Sequence, residues 1–153
     1  MKRIAMILPT LALALSVLTA SATWAPSFAD ERSHRLAIHV DENDVKKMKM
    51  ALNNAKNVTK YYKSKGEKVA IEIVAYGPGL HMLRADTSPV RQIIAAMSLE
   101  YGNVAFAACG NTQDIMKKKE KKAIPLIPEA KRVTAGVVRL MELQEQGWSY
   151  VKP

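Results

Sequence analysis

The amino-acid sequence predicts an α/β fold, namely a three-layer α/β/α sandwich with a mostly parallel sheet of about five strands. Short apolar runs without a polar face, such as VAFAA at 104–108, are typical of parallel strands that are buried on both sides. These runs alternate with segments that have the 3.6-residue period of amphipathic helices. Of the 153 residues, 48% are hydrophobic, so the chain can form one domain with its own core.

The first 29 residues have the pattern of a secretory signal peptide. A positively charged start is followed by an apolar stretch over 4–18 and by small residues before a cleavage site after Ala29. The small residues at 20–22 offer an earlier cleavage site. A retained membrane anchor is less favoured, because the apolar stretch is shorter than the ~20 residues of a spanning helix. We therefore expect a mature domain over 30–153 that is periplasmic or secreted, without stable membrane insertion.

Five runs of the mature domain have the composition of strands. They are rich in apolar residues and bounded by turn formers, as at 41–44 after the first run and at Gly77-Pro78-Gly79 after the second. Pro125 and Pro128 interrupt any regular element before the fourth run. The predicted strands are 35–40, 68–76, 104–108, 131–133 and 148–151.

Four amphipathic segments predict helices between these strands. The first helix follows the N-cap residues at 41–44 and ends before Gly66. Ser88 as N-cap and Pro89 at the first helical position begin the second helix, which Gly102 ends. The predicted helices are 45–65, 89–101, 110–119 and 134–146.

The last of these helices carries apolar residues on one side. Leu140 and Met141 lie three and four positions after Val137, so we expect all three to face the core. Gly147 closes the helix, and the final strand follows directly.

Three short loops are candidates for a binding site. In open parallel sheets, ligands bind beyond the carboxyl ends of the strands, where helix N-termini present free N–H groups. The loops that follow the first three predicted strands are 41–44, 77–81 and 109–111, and they include Asp41 and Asn111. If these strands are neighbours, the three loops lie on one edge of the sheet.

Cys109 is the most informative residue for function, and it is the single cysteine of the chain. It lies between a buried strand and a helix that starts at Gly110-Asn111, where the helix dipole favours the thiolate. Gly110 gives the backbone freedom for donors to approach the sulfur. We expect a reactive sulfur at the rim of the sheet, open to solvent. The alternative is a buried cysteine that acts as a small hydrophobic residue.

The glycine turn at Gly77 and Gly79 does not match a nucleotide-binding motif, because it lacks the spacing of GxGxxG and of the phosphate loop. Two interpretations stay open for it. The turn is a corner between strand and loop without a ligand, or it forms a wall of a pocket that faces Cys109.

The three histidines differ in their expected roles. His34 is expected to be solvated, and His39 within the first strand is expected to be a packed core residue. His81 follows the glycine turn and could reach Cys109 as a proton donor or acceptor. The sequence contains no CxxC or HxxxH pair, so it predicts neither a metal site nor a cofactor.

The formal net charge of +9 predicts attraction to anions. A dense basic run at 117–122 (KKKEKK) is either a solvated helix end or a surface for an acidic partner or a small anion. Nucleic-acid binding is disfavoured, because no aromatic residues are interleaved with these lysines and the chain carries an export signal.

Three motifs resemble the exported branch of the DsrE/DsrF-like family. They are VAYGPGL at 74–80, FAACGNT at 106–112 and AGVVRLMELQEQGWSYVKP at 135–153. The resemblance covers nearly all of 30–153. It implies a DsrEFH-like α/β/α fold, assembly as homotrimers or hexamers, and a sulfur relay in which Cys109 accepts a persulfide sulfur. By the same resemblance, Asn111 and the turn from Gly77 to Gly79 line its pocket.

Three functions are compatible with these observations. The first is an exported sulfur-carrier or sulfurtransferase-like protein that passes sulfur from Cys109 to an acceptor thiol protein or a small sulfur anion. The second is a non-enzymatic ligand-binding or assembly module in which Cys109 is structural. The third is a metal or redox sensor that uses Cys109 and His81. Whether the protein is an enzyme stays open at this point.

Overall fold

A computed structural model describes residues 33–153 of the chain, and the predicted signal peptide lies outside these residues. The described part contains five strands, four α-helices and one 3₁₀ helix. The strands are β1 Ser33–Val40, β2 Lys68–Ala75, β3 Val104–Cys109, β4 Ala130–Val133 and β5 Ser149–Val151. The helices are α1 Val45–Ser64, α2 Arg91–Glu100, α3 Gly110–Glu120 and α4 Gly136–Glu145, and the 3₁₀ helix spans Gly77–Leu83.

The five strands form one parallel sheet in the order β4-β3-β2-β1-β5. From β1 to β4 the chain steps in one direction, and α4 then returns it across the sheet to place β5 beside β1. Residues of α1, α2 and α3 belong to the core on one face, whereas α4 packs on the other face. This architecture confirms the predicted three-layer α/β/α sandwich.

Alternate residues of the central strands face two different cores. Ile71 and Ile73 of β2 belong to the larger core. Val74, the next residue of the same strand, faces α4 and belongs to the smaller core. The smaller core consists of Ala37, Val74, Ala107, Leu140 and Leu143. Because both faces are covered, these strands have no polar side, which is the pattern that predicted a parallel sheet.

The inward face predicted for α4 is wrong for two of its three residues. Val137 and Met141 are each 55% exposed, whereas Leu140 and Leu143 are buried. The helix contacts the sheet through these two leucines, which lie three positions apart on one side. Val137 and Met141 therefore form an apolar outer surface of α4.

The second helix begins later than predicted. Its first residue is Arg91, and Val90 rather than Ser88 occupies the N-cap position. The Ser88 hydroxyl donates to the Met82 carbonyl at 2.5 Å, so it is tied to the 3₁₀ helix. That 3₁₀ helix was predicted only as a tight turn, and its contacts move the start of α2 along the chain.

Arg84 fixes the end of the 3₁₀ helix to α3. Its side chain is 1% exposed and donates to the carboxylates of Asp86 and Glu120 over distances of 2.5 to 2.9 Å. These hydrogen bonds hold the pKa of Asp86 well below its usual range. A buried guanidinium is stable only when it is paired, so this network holds the loop after β2 in place.

Candidate functional site

The three loops predicted to converge do lie on one edge of the sheet. β1, β2 and β3 are neighbours, and Val40 pairs with Ala75, which in turn pairs with Ala108. Asp41 and Cys109 therefore lie at the carboxyl ends of strands that flank β2. The edge also contains a change of strand order, because β5 lies on the far side of β1. Ligands of open parallel sheets bind at such positions.

Cys109 joins β3 to α3 and serves as the N-cap residue of this helix. Its Sγ accepts a hydrogen bond from the Thr112 amide at 3.4 Å. Burial raises the pKa of the Cys109 thiol, but hydrogen bonds from Thr112 and from the amides of Gly136 and Asn111 outweigh it. The net effect is a lowered pKa, as expected for a thiol at a helix N-terminus.

Two helix N-termini meet at this sulfur. Asn111 and Thr112 belong to the first turn of α3, and Gly136 is the first residue of α4. A Cβ on Gly136 would lie 2.9 Å from Cβ of Tyr76 and 3.2 Å from Cβ of Cys109, so only glycine allows α4 to approach this closely. The helix dipoles of α3 and α4 both favour negative charge on Cys109.

Gly110 allows another close approach beside the thiol. A Cβ there would lie 2.7 Å from the guanidinium carbon of Arg132, whose side chain also bonds Gln113 and Asp114. Gly110 was expected to let donors approach the sulfur, whereas its missing side chain makes room for Arg132.

The expectation that the thiol is open to solvent is wrong. Cys109 is 5% exposed and counts among the buried residues. Its surroundings are nevertheless partly polar, because the donors described above point at the sulfur, and Tyr76 follows the paired residue of the neighbouring strand. The site combines a favoured thiolate with restricted access.

The glycine turn lines a pocket next to α3. This pocket has a volume of about 370 Å³, and Gly77, His81 and Thr112 belong to its lining, whereas Cys109 does not. Gly77 has a φ of +52°, and its amide donates to the Thr112 hydroxyl at 2.9 Å. The turn is therefore tied to the helix that Cys109 caps, but it does not form a wall against the sulfur.

Two other predicted residues also take different roles. His81 shares a hydrogen bond between Nδ1 and the Thr87 hydroxyl at 2.8 Å, so this ring nitrogen is engaged by the loop before α2. The Asn111 side chain is exposed, while its amide donates to the Thr134 carbonyl at 3.1 Å. Asn111 contributes to the site through its backbone, because this bond ties α3 to the loop before α4.

A group of polar side chains lies beside β1 and β5, and of its members only Asp41 was predicted as a site residue. His39 Nδ1 lies 2.7 Å from the Tyr150 hydroxyl, and the His39 ring stacks on Tyr76 with a centroid distance of 4.6 Å. Asp41 accepts a hydrogen bond from the Lys152 ammonium at 2.6 Å. His39 is buried as predicted, but it bridges two strands rather than packing among apolar residues only.

The two nitrogens of His39 differ in their partners. Nε2 is buried without a hydrogen-bond partner, and the nearest Asp41 carboxylate oxygen lies 3.7 Å away, which is too far for a hydrogen bond. Burial lowers the pKa of His39, although Asp41 opposes this effect. His39 is accordingly neutral near pH 7.

Two other kinds of feature are absent from residues 33–153. No group of three or more His, Cys, Asp or Glu side chains there is arranged to hold a metal ion. Within the same residues, no helix has the length and hydrophobicity needed to cross a membrane.

The fold and the site define a parallel α/β protein with a single thiol at the carboxyl edge of its sheet. No protein-family model matches the chain. No curated protein matches it either. The chain is similar to the solved structure of MTH1491, a protein of unknown function from Methanobacterium thermoautotrophicum, with 28% sequence identity and a TM-score of 0.66. This similarity covers 78% of the present chain and 99% of MTH1491, and it supports the α/β fold.

Proposed function

We propose that this protein is an exported sulfur carrier, similar to sulfurtransferases, that holds sulfur as a persulfide on Cys109. The observation that carries the proposal is the position of Cys109 Sγ, where the Thr112 hydroxyl and the amides of Gly136 and Thr112 lower the thiol pKa despite burial. The thiolate is the form that attacks sulfur. The resemblance to the DsrE/DsrF-like family supports the same function, and the pattern of the first 29 residues supports export.

The transfer needs no external oxidant or reductant. With thiosulfate as donor, the Cys109 thiolate attacks the outer sulfur, the sulfur–sulfur bond of thiosulfate breaks, and sulfite leaves with the bonding electrons. A new bond joins Cys109 to the transferred sulfur, which keeps a negative charge. In the second step an acceptor thiolate attacks this outer sulfur, and the Cys109 thiolate leaves. Charge and electrons balance in both steps.

The acceptor in this scheme is another molecule. The chain contains one cysteine, so a persulfide on Cys109 has no internal thiol to attack it. The amides that favour the thiolate also favour the anionic outer sulfur, because both are negative charges at helix N-termini. We propose that the acceptor is a thiol protein or a small sulfur anion.

Incubation with thiosulfate or polysulfide is expected to add one sulfur atom to the native protein, as detected by intact mass spectrometry. A reducing agent is expected to remove it. Cys109→Ser is expected to stay unmodified, because a hydroxyl is not ionised near neutral pH and does not form a persulfide. An added sulfur in Cys109→Ser, or none in the native protein, would contradict the proposal.

A second candidate function is a non-enzymatic module that binds a small ligand. Two observations favour it, namely the 5% exposure of Cys109 and the pocket of about 370 Å³ that contains Gly77 and His81 but not the sulfur. Under this function Cys109 stays unmodified by sulfane donors. The two functions therefore differ in the mass measurement itself.

We also propose that the protein forms homo-oligomers, trimers or hexamers according to the family resemblance, through the outer surface of α4. Val137, Val138 and Met141 on this helix are between 47% and 55% exposed. Beside the helix lies a groove of about 460 Å³ above β3, whose lining combines apolar residues such as Ala105 and Val138 with charged ones such as Lys131. An exposed apolar surface next to a groove is typical of an interface.

Met141→Glu is expected to convert the oligomer to monomers, because a carboxylate buried in an apolar interface has no partner there. Size-exclusion chromatography with light scattering gives the mass of the particle. Leu99→Glu is the matched control, since Leu99 on α2 is 91% exposed on the other face of the sheet. An equal loss of mass in both variants, or a monomeric native protein, would contradict an interface at α4.

A further inference from the structure

Tyr76 lies directly beside Cys109 on the face that α4 covers. Ala75 pairs with Ala108, so the next residues of the two strands, Tyr76 and Cys109, are neighbours across the sheet. Both contact the same point, because a Cβ on Gly136 would meet Cβ and Cδ1 of Tyr76 at 2.9 Å and Cβ of Cys109 at 3.2 Å. Tyr76 itself is half-buried, whereas Cys109 is 5% exposed.

The position of the Tyr76 ring depends on His39. The two rings are stacked with their centroids 4.6 Å apart and their planes at 24°. His39 is in turn anchored to β5, since its Nδ1 lies 2.7 Å from the Tyr150 hydroxyl. A buried imidazole that bridges two strands thus supports the ring beside the sulfur.

The second ring nitrogen of His39, Nε2, is not held by a hydrogen bond. Its Nε2 is buried without a partner, and Asp41, 3.7 Å away, is already bonded to Lys152. The small cavity of about 10 Å³ beside His39 also contains Glu42 and Lys47 in its lining. His39 is held through one ring nitrogen only, so the stack with Tyr76 can shift without the loss of a second hydrogen bond.

We propose that Tyr76 is a positioning residue that covers the sulfur of Cys109, and that His39 acts through Tyr76 to keep the cover in place. Access and acidity of the thiol then have separate causes. The Thr112 hydroxyl and the backbone amides of α3 and α4 favour the thiolate, and the stacked rings limit which molecules reach it. The value of this arrangement to the protein rests on the proposed sulfur transfer, because a persulfide that is shielded from bulk solvent is protected from unwanted thiols.

The test is the pH dependence of alkylation of native Cys109 by iodoacetamide, which reports the thiol pKa as the midpoint and access as the plateau rate at high pH. Tyr76→Ala is expected to raise the plateau rate by about tenfold or more, because reaction no longer waits for local opening. Its midpoint is expected not to rise, because the donors of α3 and α4 stay in place and burial, which raises the pKa of the thiol, only decreases. Tyr76→Phe keeps the ring and is expected to react as slowly as the native protein.

His39 is tested in the same way. His39→Ala leaves the Tyr76 ring in place without its stacking partner and is expected to raise the plateau rate, whereas His39→Phe restores a stacking ring and is expected to react slowly. These variants keep the proposal testable if Tyr76→Ala fails to fold. Leu52→Ala shortens a buried side chain of α1, so it controls for general loss of stability and is expected to leave the plateau rate low.

Two outcomes would contradict the proposal that Tyr76 covers the sulfur of Cys109. One is an unchanged plateau rate in both Tyr76→Ala and His39→Ala, and the other is an equal rise in Tyr76→Ala and Leu52→Ala. Failure of the proposed function gives a different result, since Tyr76→Ala would then alkylate rapidly while thiosulfate still adds no sulfur to Cys109. The cover and the sulfur transfer are therefore tested independently.

Discussion

Gly79→Ala is expected to destabilise the protein by about 3 kcal/mol or more, because the added methyl group meets backbone that has no room to move. A Cβ at this position would lie 2.3 Å from the Val40 carbonyl oxygen and 2.8 Å from the Asp41 Cα. A side chain could rotate away from the added methyl group. These atoms cannot, because they are backbone atoms at the end of β1 and in the loop that follows it. The free energy of unfolding from urea denaturation measures the effect.

Gly102→Ala is the matched control for this substitution. No atom lies within 4 Å of a Cβ at Gly102, and its φ is outside the left-handed region. The expected change in the free energy of unfolding is within about 0.5 kcal/mol, as for most surface substitutions. Equal free energies of unfolding for the two variants would show that the backbone of β1 can move away from the 3₁₀ helix to admit a methyl group.

The substitution at Gly79 is also expected to disturb the surroundings of the Cys109 thiol. The 3₁₀ helix begins at Gly77, whose amide donates to the Thr112 hydroxyl in the first turn of α3. A displaced 3₁₀ helix would pull on that turn, which provides amides to Cys109. The glycine turn is therefore a structural support of the site, although it does not line it.

Local patterns were enough to predict the strands and the position of Cys109. The apolar run at 68–76 predicted β2 to within one residue, because a strand buried on both sides has a distinctive composition. The junction between VAFAA and Gly110 likewise predicted that Cys109 starts a helix. Both features depend on residues that are close together in the sequence.

The contacts around His39 could not be predicted in this way. Asp41 and Lys152 are 111 positions apart, and they meet only because the chain crosses the sheet to place β5 beside β1. Strand order is not encoded in the period of a single strand. Once β1 and β5 are neighbours, the register of Ala37 with Tyr150 accounts for the contact of Tyr150 with His39.

The burial of Cys109 was missed for a related reason. Its own strand and helix favour exposure at the rim of the sheet, and the sulfur is covered by parts of the chain that come from elsewhere. Tyr76 follows the neighbouring strand β2, and Gly136 begins α4, 27 positions after Cys109 in the sequence. The same distant glycine brings a second helix N-terminus to the thiol, and its amide favours the thiolate.

Gly136→Ala is expected to raise the pKa of Cys109, because it moves the first turn of α4 away from the sulfur. The added Cβ would lie 2.9 Å from Cβ and Cδ1 of Tyr76 and 3.2 Å from Cβ of Cys109. Without the Gly136 amide, the effect of burial, which raises the pKa of the thiol, is opposed only by the donors of α3. The thiolate fraction near pH 7 is then expected to fall by up to about tenfold, which corresponds to one pH unit.

The measurement is the midpoint of the alkylation rate of Cys109 as a function of pH. The rate rises with pH as the thiolate forms, so a raised pKa moves the midpoint to higher pH. The midpoint separates this effect from any change of access, which alters the plateau rate instead. Val138→Ala, at an exposed position of the same helix, is expected to keep the native midpoint. An unchanged midpoint in Gly136→Ala would mean that α3 alone stabilises the thiolate, and the contribution assigned to α4 would be wrong.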